Sequence, residues 1–118
     1  MEIEFYKVES DSIAIIHSSE IVIVTPQDAL DLMMDCFYQG ASRIILKEEN
    51  IISSFFDLKT RLAGEILQKF SNYQCRLSIV GDFTKYESKS LRDFIYECNK
   101  GVTCSFVKDM EEAKRKLK

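Results

Sequence analysis

The chain has 118 residues, a length typical of one domain, so we expect residues 1–118 to form a single domain. Hydrophobic residues make up 46% and charged residues 30%, which is the balance of a soluble globular protein. The net charge of -3 predicts no nucleic-acid partner, because a phosphate backbone needs a basic surface.

The cysteines and the single histidine, His17, are scattered along the chain. No two cysteines have a C-x-x-C spacing, and all of them lie far from His17, so we expect no metal site and no cofactor. Cys36 and Cys98 fall on the apolar faces of predicted helices. No apolar run is long enough to span a bilayer, and no secretory leader follows Met1, so we expect a cytoplasmic protein with reduced thiols and no membrane partner.

The first half of the chain alternates strand and helix signals. "EFYKVE" and "SIAIIHS" predict two strands around a turn at Asp11, and "IVIV" from Ile21 predicts a short third strand. "TPQDALDLMMDCFYQG" predicts a helix that begins after the N-cap Thr25 and ends at Gly40. "RIILK" predicts the next strand.

The second half continues the alternation. "SSFFDLKTRLAGEILQKFSNY" predicts the longest helix, capped by Ser54, with Gly64 in its middle marking a close approach of another backbone on the sheet or a partner. "CRLSIVGD" predicts a buried strand, and "SLRDFIYECNKG" a helix capped by Ser90. "VTCSFV" predicts an edge strand, and "DMEEAKRKL" a closing helix capped by Asp109.

The predicted order is β-β-(β)-α-β-α-β-α-β-α. Strands that alternate with helices indicate an α/β fold with a mixed, mainly parallel sheet of about five strands and helices on both faces. The opening hairpin would place the antiparallel strand at one edge.

Three blocks carry a resemblance: "QDALDLM", "FFDLKTRLAGEILQKFSNY" and "LSIVGDFTKYESKSLRDFIYECNKG". They resemble the signature blocks of a small bacterial family known as a domain of unknown function, over nearly all of the chain after Ile13. The resemblance implies a fold similar to the STAS-like group, which includes anti-sigma-factor antagonists and SpoIIAA-like domains, and no established activity. The antagonists take phosphate on a serine that Ser53 or Ser54 roughly matches, although "IISSFFDL" lacks their Asp-Ser-x-Gly pattern.

The segment "GDFTKYESK" is the main candidate site, because it follows a strand at the edge where ligands bind in parallel sheets. The start of the long helix would adjoin it, with Lys59 opposite Asp82. The candidate binding residues are Ser54, Lys59, Thr60, Asp82, Phe83, Thr84, Tyr86 and Ser88. The alternative is that Phe83 packs under the loop and Asp82 only caps local backbone N–H groups.

These features favour a non-enzymatic regulatory or interaction module that binds a protein partner or a small ligand at the carboxyl ends of the strands. The competing hypothesis is a small enzyme in which Glu48 or Glu49 faces Asp82 as a carboxylate pair. No catalytic residue is assigned, since the chain has no G-x-S-x-G elbow and no glycine-rich phosphate loop. The sequence also allows a homodimer whose exposed helix face is the assembly surface.

Overall fold

The computed structural model describes residues 1–118. One five-stranded sheet forms its centre, with the strands β1 Glu2–Val8, β2 Asp11–His17, β3 Arg43–Lys47, β4 Arg76–Val80 and β5 Cys104–Val107. Spatial order equals chain order, and only the β1–β2 pair is antiparallel. The helices are α1 Pro26–Tyr38, α2 Leu62–Asn72, α3 Lys89–Lys100 and α4 Met110–Leu117. The predicted mixed, mainly parallel α/β fold is confirmed.

The helices divide three to one between the faces of the sheet. Each crossover from β2 to β5 advances one strand in the same direction, so right-handed connections put α1, α2 and α3 on one face. Ala29, Ala63 and Leu91 from these helices share the larger buried cluster with alternate sheet residues. Ala113 and Leu117 of α4 share the smaller cluster with residues of the other face.

Helix starts and stops follow local side-chain chemistry. Thr25 caps α1 as predicted, because its hydroxyl accepts the Asp28 N–H and the Asp28 side chain accepts the Thr25 N–H in return. Asp109 caps α4 by accepting the Glu112 N–H at 2.8 Å. The predicted cap of α3 is wrong by two residues: Ser88, not Ser90, accepts the Leu91 N–H at 3.2 Å.

The predicted long helix starts later than expected. Two 3₁₀ turns, Ser53–Phe56 and Leu58–Thr60, precede α2, and Arg61 between them and the helix has a left-handed backbone with φ of 64°. That conformation interrupts the helical path, so α2 begins only at Leu62. Ser54 therefore caps no helix, and its predicted role as an N-cap is wrong.

The predicted third strand and the predicted role of Gly64 also differ from the structure. "IVIV" makes only one isolated bridge, from Ile23 to Ile51, because the Val22 and Ile23 N–H groups both donate to the Asn50 carbonyl instead of to a strand. A Cβ built on Gly64 would meet nothing within 4 Å. The chain itself therefore makes no close backbone approach at this glycine.

The four cysteines are free. Cys36 and Cys98 pack with the larger cluster, and burial raises the pKa of each thiol to about 11, with the Asp35 charge adding to the effect at Cys36. They therefore serve as small hydrophobic residues, as predicted. No helix is both long enough and apolar enough to cross a bilayer.

Candidate functional site

A crevice opens at the carboxyl ends of β4 and β5, where the following helices part. The chain leaves β4 for α3 on one face of the sheet and leaves β5 for α4 on the opposite face. In open α/β sheets such a divergence is where ligands bind, because no helix start covers the space between the two strands. The cavity here, called the β4–β5 crevice below, has a volume of about 580 Å³.

The wall of the β4–β5 crevice is apolar. Phe83, Ile95 and Phe106 line it, and the Phe83 and Phe106 rings meet edge to face with centroids 5.3 Å apart. Phe83 is half-buried and packs against the larger hydrophobic cluster. Phe83 therefore packs under the loop against the core, which is the alternative that the sequence left open, and it also faces the cavity.

The rim of the crevice carries two cations and two anions: Arg92, Lys108, Asp82 and Glu112. None of these four side chains takes part in an ion pair. Only Asp82 makes a side-chain hydrogen bond, accepting the Thr84 N–H at 3.1 Å and the Thr84 hydroxyl at 2.5 Å on the same oxygen, Oδ1. Those bonds lower the pKa of the exposed Asp82 carboxyl below its ordinary value, with a smaller contribution from the Lys85 charge.

On the other side of the same loop lies a second, smaller notch of about 380 Å³ around Glu48. The Glu48 carboxylate accepts a hydrogen bond from the Tyr86 hydroxyl and pairs with Lys85 Nζ at 2.8 Å. Burial and then the Glu48 contact raise the pKa of the Tyr86 hydroxyl. Tyr86 also stacks on Phe56, with ring centroids 5.4 Å apart. The loop is thereby fastened across the carboxyl end of β3.

Gly81 allows this fastening. A Cβ at Gly81 would lie 2.7 Å from Glu48 Oε1 and 2.8 Å from Glu48 Cβ, closer than real carbon atoms approach. Since β4 ends at Val80, the glycine is the point at which the chain passes the Glu48 side chain before turning into the loop. Position 81 therefore requires a residue without a Cβ, which accounts for the glycine of the "GD" pair.

The structure distributes the predicted site residues over several roles. Asp82, Phe83 and Thr84 line the β4–β5 crevice, and Tyr86 lines the notch. Ser88 caps α3, Thr60 donates its hydroxyl to the carbonyls of Ser54 and Asp57 at 2.8 Å each, and the half-buried Ser54 makes no side-chain hydrogen bond.

Lys59, which was expected to lie opposite Asp82, forms no ion pair with it. Lys59 makes no ion pair, and the cation that does form one in this region is Lys85 of the loop itself, with Glu48 as its partner. The loop after β4 does lie beside the segment that contains Ser54, because Phe83 and Tyr86 both pack on Phe56, two residues beyond Ser54. Aromatic contacts, rather than an ion pair, join the two segments.

The predicted carboxylate pair is also not assembled as such. Glu48 is engaged by Tyr86 and Lys85, whereas Asp82 is engaged by Thr84, so the two acids share no donor. Glu49 is exposed beside the notch. No group of three or more histidine, cysteine, aspartate or glutamate side chains is arranged to hold a metal ion.

Sequence reasoning missed three of the four charged residues of the crevice: Arg92, Lys108 and Glu112. Arg92 lies on a helix face that reads as ordinary solvated surface, and Glu112 is in the first turn of α4, where an acid suits the helix dipole. Lys108 directly follows β5, so the rule that favours the carboxyl ends of parallel strands would have found it.

A family model described as a domain of unknown function, DUF4180, matches residues 8–117. The chain belongs to the DUF4180 family. The match runs from the last residue of β1 to the last residue of α4, so the family domain contains the whole β4–β5 crevice and the Glu48 notch. No curated protein and no solved structure matches the chain.

Proposed function

We propose that this DUF4180 domain is a non-catalytic regulatory module that binds a small ligand in the β4–β5 crevice. One observation carries the proposal: four charged side chains without ion-pair partners surround an apolar wall at the point where α3 and α4 diverge. An apolar cavity with a few converging polar groups is the usual form of a small-molecule site.

The chemistry at the crevice supports binding rather than catalysis. The carboxylates at the strand ends are held by separate donors, and no serine, cysteine or histidine lies among the lining residues. The one hydroxyl there, that of Thr84, bonds to Asp82 without a third group to orient the pair as in a catalytic triad. Cys98 lies outside the crevice, and burial raises the pKa of its thiol, which disfavours a reactive thiolate. An enzyme that uses the strand-end carboxylates is therefore the weaker candidate.

The packing of the loop supports a small ligand over a protein partner. Protein interfaces depend on exposed aromatic anchors. Phe83 and Tyr86, the aromatic residues of the loop, are instead half-buried against Phe56 and the core. The loop and the neighbouring segments instead present charged side chains to solvent at the rim of the crevice, which suits a small ligand that enters it.

We also propose that the fold is STAS-like. The antiparallel hairpin at one edge of a mainly parallel sheet supports this relationship, and so does the last segment, "SFVKDMEEAKRKL", which resembles the closing strand and helix of SpoIIAA-like domains. In the regulatory role proposed here, ligand occupancy would act on the loop between β4 and α3, which lines both the crevice and the Glu48 notch.

The test is an NMR titration of the ¹⁵N-labelled chain with the small-molecule fraction of a cell extract from the native host. We expect the amide signals of Gly81, Thr84 and Lys108 to shift. Ile95→Phe, which narrows the crevice, should abolish the shifts, whereas Val102→Phe, which places the same aromatic side chain at an exposed position outside the crevice, should leave them.

The proposal is wrong if these amides do not move, or if Ile95→Phe leaves the shifts unchanged. Dispersed amide spectra establish that each variant is folded. Should Ile95→Phe fail this check, Thr84→Phe narrows the crevice from the exposed loop instead.

A further inference from the structure

The charges around the β4–β5 crevice balance. Arg92 and Lys108 supply two positive charges, and Asp82 and Glu112 supply two negative charges. Elsewhere on the surface Lys85, Lys89 and Lys100 pair with an acid, whereas Lys59 and Lys69 do not. The four crevice side chains do not pair with one another, although all of them line a single cavity.

The atoms that would contact a ligand are free. The Arg92 guanidinium, the Lys108 ammonium and the Glu112 carboxylate make no hydrogen bonds within the chain, and Asp82 uses only Oδ1, for the two bonds from Thr84. The bond between Glu112 and the Asp109 side chain uses the backbone N–H of Glu112 and leaves its carboxylate free. Three complete charged groups and one carboxylate oxygen therefore remain available.

The balance of signs restricts the class of ligand. A multiply charged anion such as a polyphosphate would meet Asp82 and Glu112, whose like charge offsets the attraction of the two cations, although water weakens these interactions at the exposed rim. A simple cation would meet Arg92 and Lys108 in the same way. A molecule that carries one charge of each sign can satisfy both pairs, because each of its ends finds an opposite charge at the rim.

We infer that the β4–β5 crevice binds a small zwitterion with an apolar side group, a molecule of the amino-acid class. This inference rests on the proposed function. Its carboxylate faces Arg92 and Lys108, its ammonium group faces Asp82 and Glu112, and its apolar group lies against Phe83 and Phe106. The volume of about 580 Å³ is within the range of small-molecule sites and exceeds what a single ion needs.

Three zwitterions, L-phenylalanine, L-leucine and L-methionine, test the inference by calorimetry and by NMR on the intact chain. Two blocked forms of phenylalanine separate the contributions of the two ligand charges to the affinity. N-acetyl-L-phenylalanine keeps only the carboxylate, and L-phenylalanine amide keeps only the ammonium group. We expect at least one zwitterion to bind with shifts at Gly81 and Thr84, and each blocked form of a binder to bind about tenfold more weakly or worse, the loss of roughly one charge contact.

Charge-neutral variants supply the matched comparison. Arg92→Gln and Glu112→Gln should each weaken zwitterion binding about tenfold, and Asp82→Asn provides the acidic variant at an exposed position should Glu112→Gln fail to fold. Arg115→Gln, on the exposed face of α4 and outside the crevice, should not change the affinity.

Two results would overturn the inference. One is the absence of binding by all three zwitterions, and the other is equal binding by a blocked form. If the crevice amides still respond to the cell extract in either case, the proposed binding function stands and only the ligand class is wrong. If neither the zwitterions nor the extract move these amides, both proposals fail.

Discussion

Tyr86 donates its hydroxyl hydrogen bond to Glu48, a residue 38 positions earlier in the chain, and so fastens the loop after β4 onto the end of β3. The Glu48 side chain is 15% exposed, and Lys85 pairs with the same carboxylate oxygen. A buried carboxylate is stable only when donors compensate for its lost hydration. The loop supplies both donors, so its conformation and the burial of Glu48 depend on each other.

Removing the Tyr86 hydroxyl tests this dependence. Tyr86→Phe should lower the free energy of unfolding by about 2 kcal/mol in urea denaturation, because a hydrogen bond to a charged group is lost while the ring packing on Phe56 stays. Tyr73→Phe is the control, since the hydroxyl of Tyr73 makes no hydrogen bond and the ring is exposed. A double-mutant cycle with Glu48→Gln should give a non-additive term; strict additivity would contradict the coupling.

Two glycines respond in opposite directions to the same substitution. Gly81→Ala should destabilise the fold by about 1–3 kcal/mol, because the new methyl group would overlap the Glu48 side chain. Gly64→Ala should stabilise it by up to about 1 kcal/mol, because the site is open and alanine is the better helix former. Thermal unfolding of the two variants measures both effects, and a destabilised Gly64→Ala would contradict the open environment of position 64.

Asn50 is a fully buried amide that joins the loop after β2 to the end of β3. Its side chain donates to the carbonyls of Ser18 and Glu20 at 2.9 Å each and accepts the Lys47 N–H at 3.0 Å. Asn50→Ala leaves these groups without partners and should cost about 3 kcal/mol in urea denaturation.

The matched control for this prediction is Asn72→Ala. Asn72 lies exposed at the end of α2, and its side chain bonds only to Gln68. Its loss should therefore cost less than about 0.5 kcal/mol. Equal destabilisation by the two alanine substitutions would refute the structural role of Asn50.

Asn99 covers the free edge of β5. Its amide accepts the Phe106 N–H at 2.7 Å and donates to the Phe106 carbonyl at 3.3 Å, so backbone groups open to another strand are already occupied. Asn99→Ala should expose that edge and produce concentration-dependent self-association in analytical ultracentrifugation. A variant that stays monomeric at every concentration at which the wild type does would argue against this protective role.

Asp11 should make stability depend on pH in the acidic range. Burial alone would raise the pKa of the Asp11 carboxyl, but hydrogen bonds from Ser42, Ser12 and Arg43 outweigh it and place the pKa below its ordinary value of 3.8. The stabilisation is therefore present in full above pH 3.8 and is lost as pH falls through the folded-state pKa.

Urea denaturation at a series of pH values measures this loss. Asp11→Asn should remove that part of the pH dependence, because the amide does not titrate. Ser42→Ala should move the loss to higher pH, because it deletes the hydroxyl that bonds to the carboxylate. If Asp11→Asn keeps the wild-type slope below pH 3.8, another group is responsible.

Helix and strand prediction succeeded where the deciding interactions are local. The Thr25 cap of α1, the Asp109 cap of α4 and the continuous apolar strands β3 and β4 depend on residues a few positions apart. The predicted start of α2 was wrong. Phe55 and Phe56 are both buried, and 3₁₀ turns, not a regular α-helix that begins at Ser54, hold them there. Burial of two adjacent aromatic residues is a tertiary demand, and it was met by 3₁₀ turns and the left-handed Arg61.

The order of strand and helix signals determined the α/β class and drew attention to the segment after β4, because apolar periodicity and the placement of caps are properties of neighbouring residues. Only the tertiary structure decided which side chains meet there. It paired Glu48 with Tyr86 rather than Lys59 with Asp82, and it brought Arg92 and Lys108 to the same cavity. These residues come from segments that are far apart in the chain. The distances between them depend on the strand register and on the opposite faces taken by α3 and α4, which no local pattern encodes.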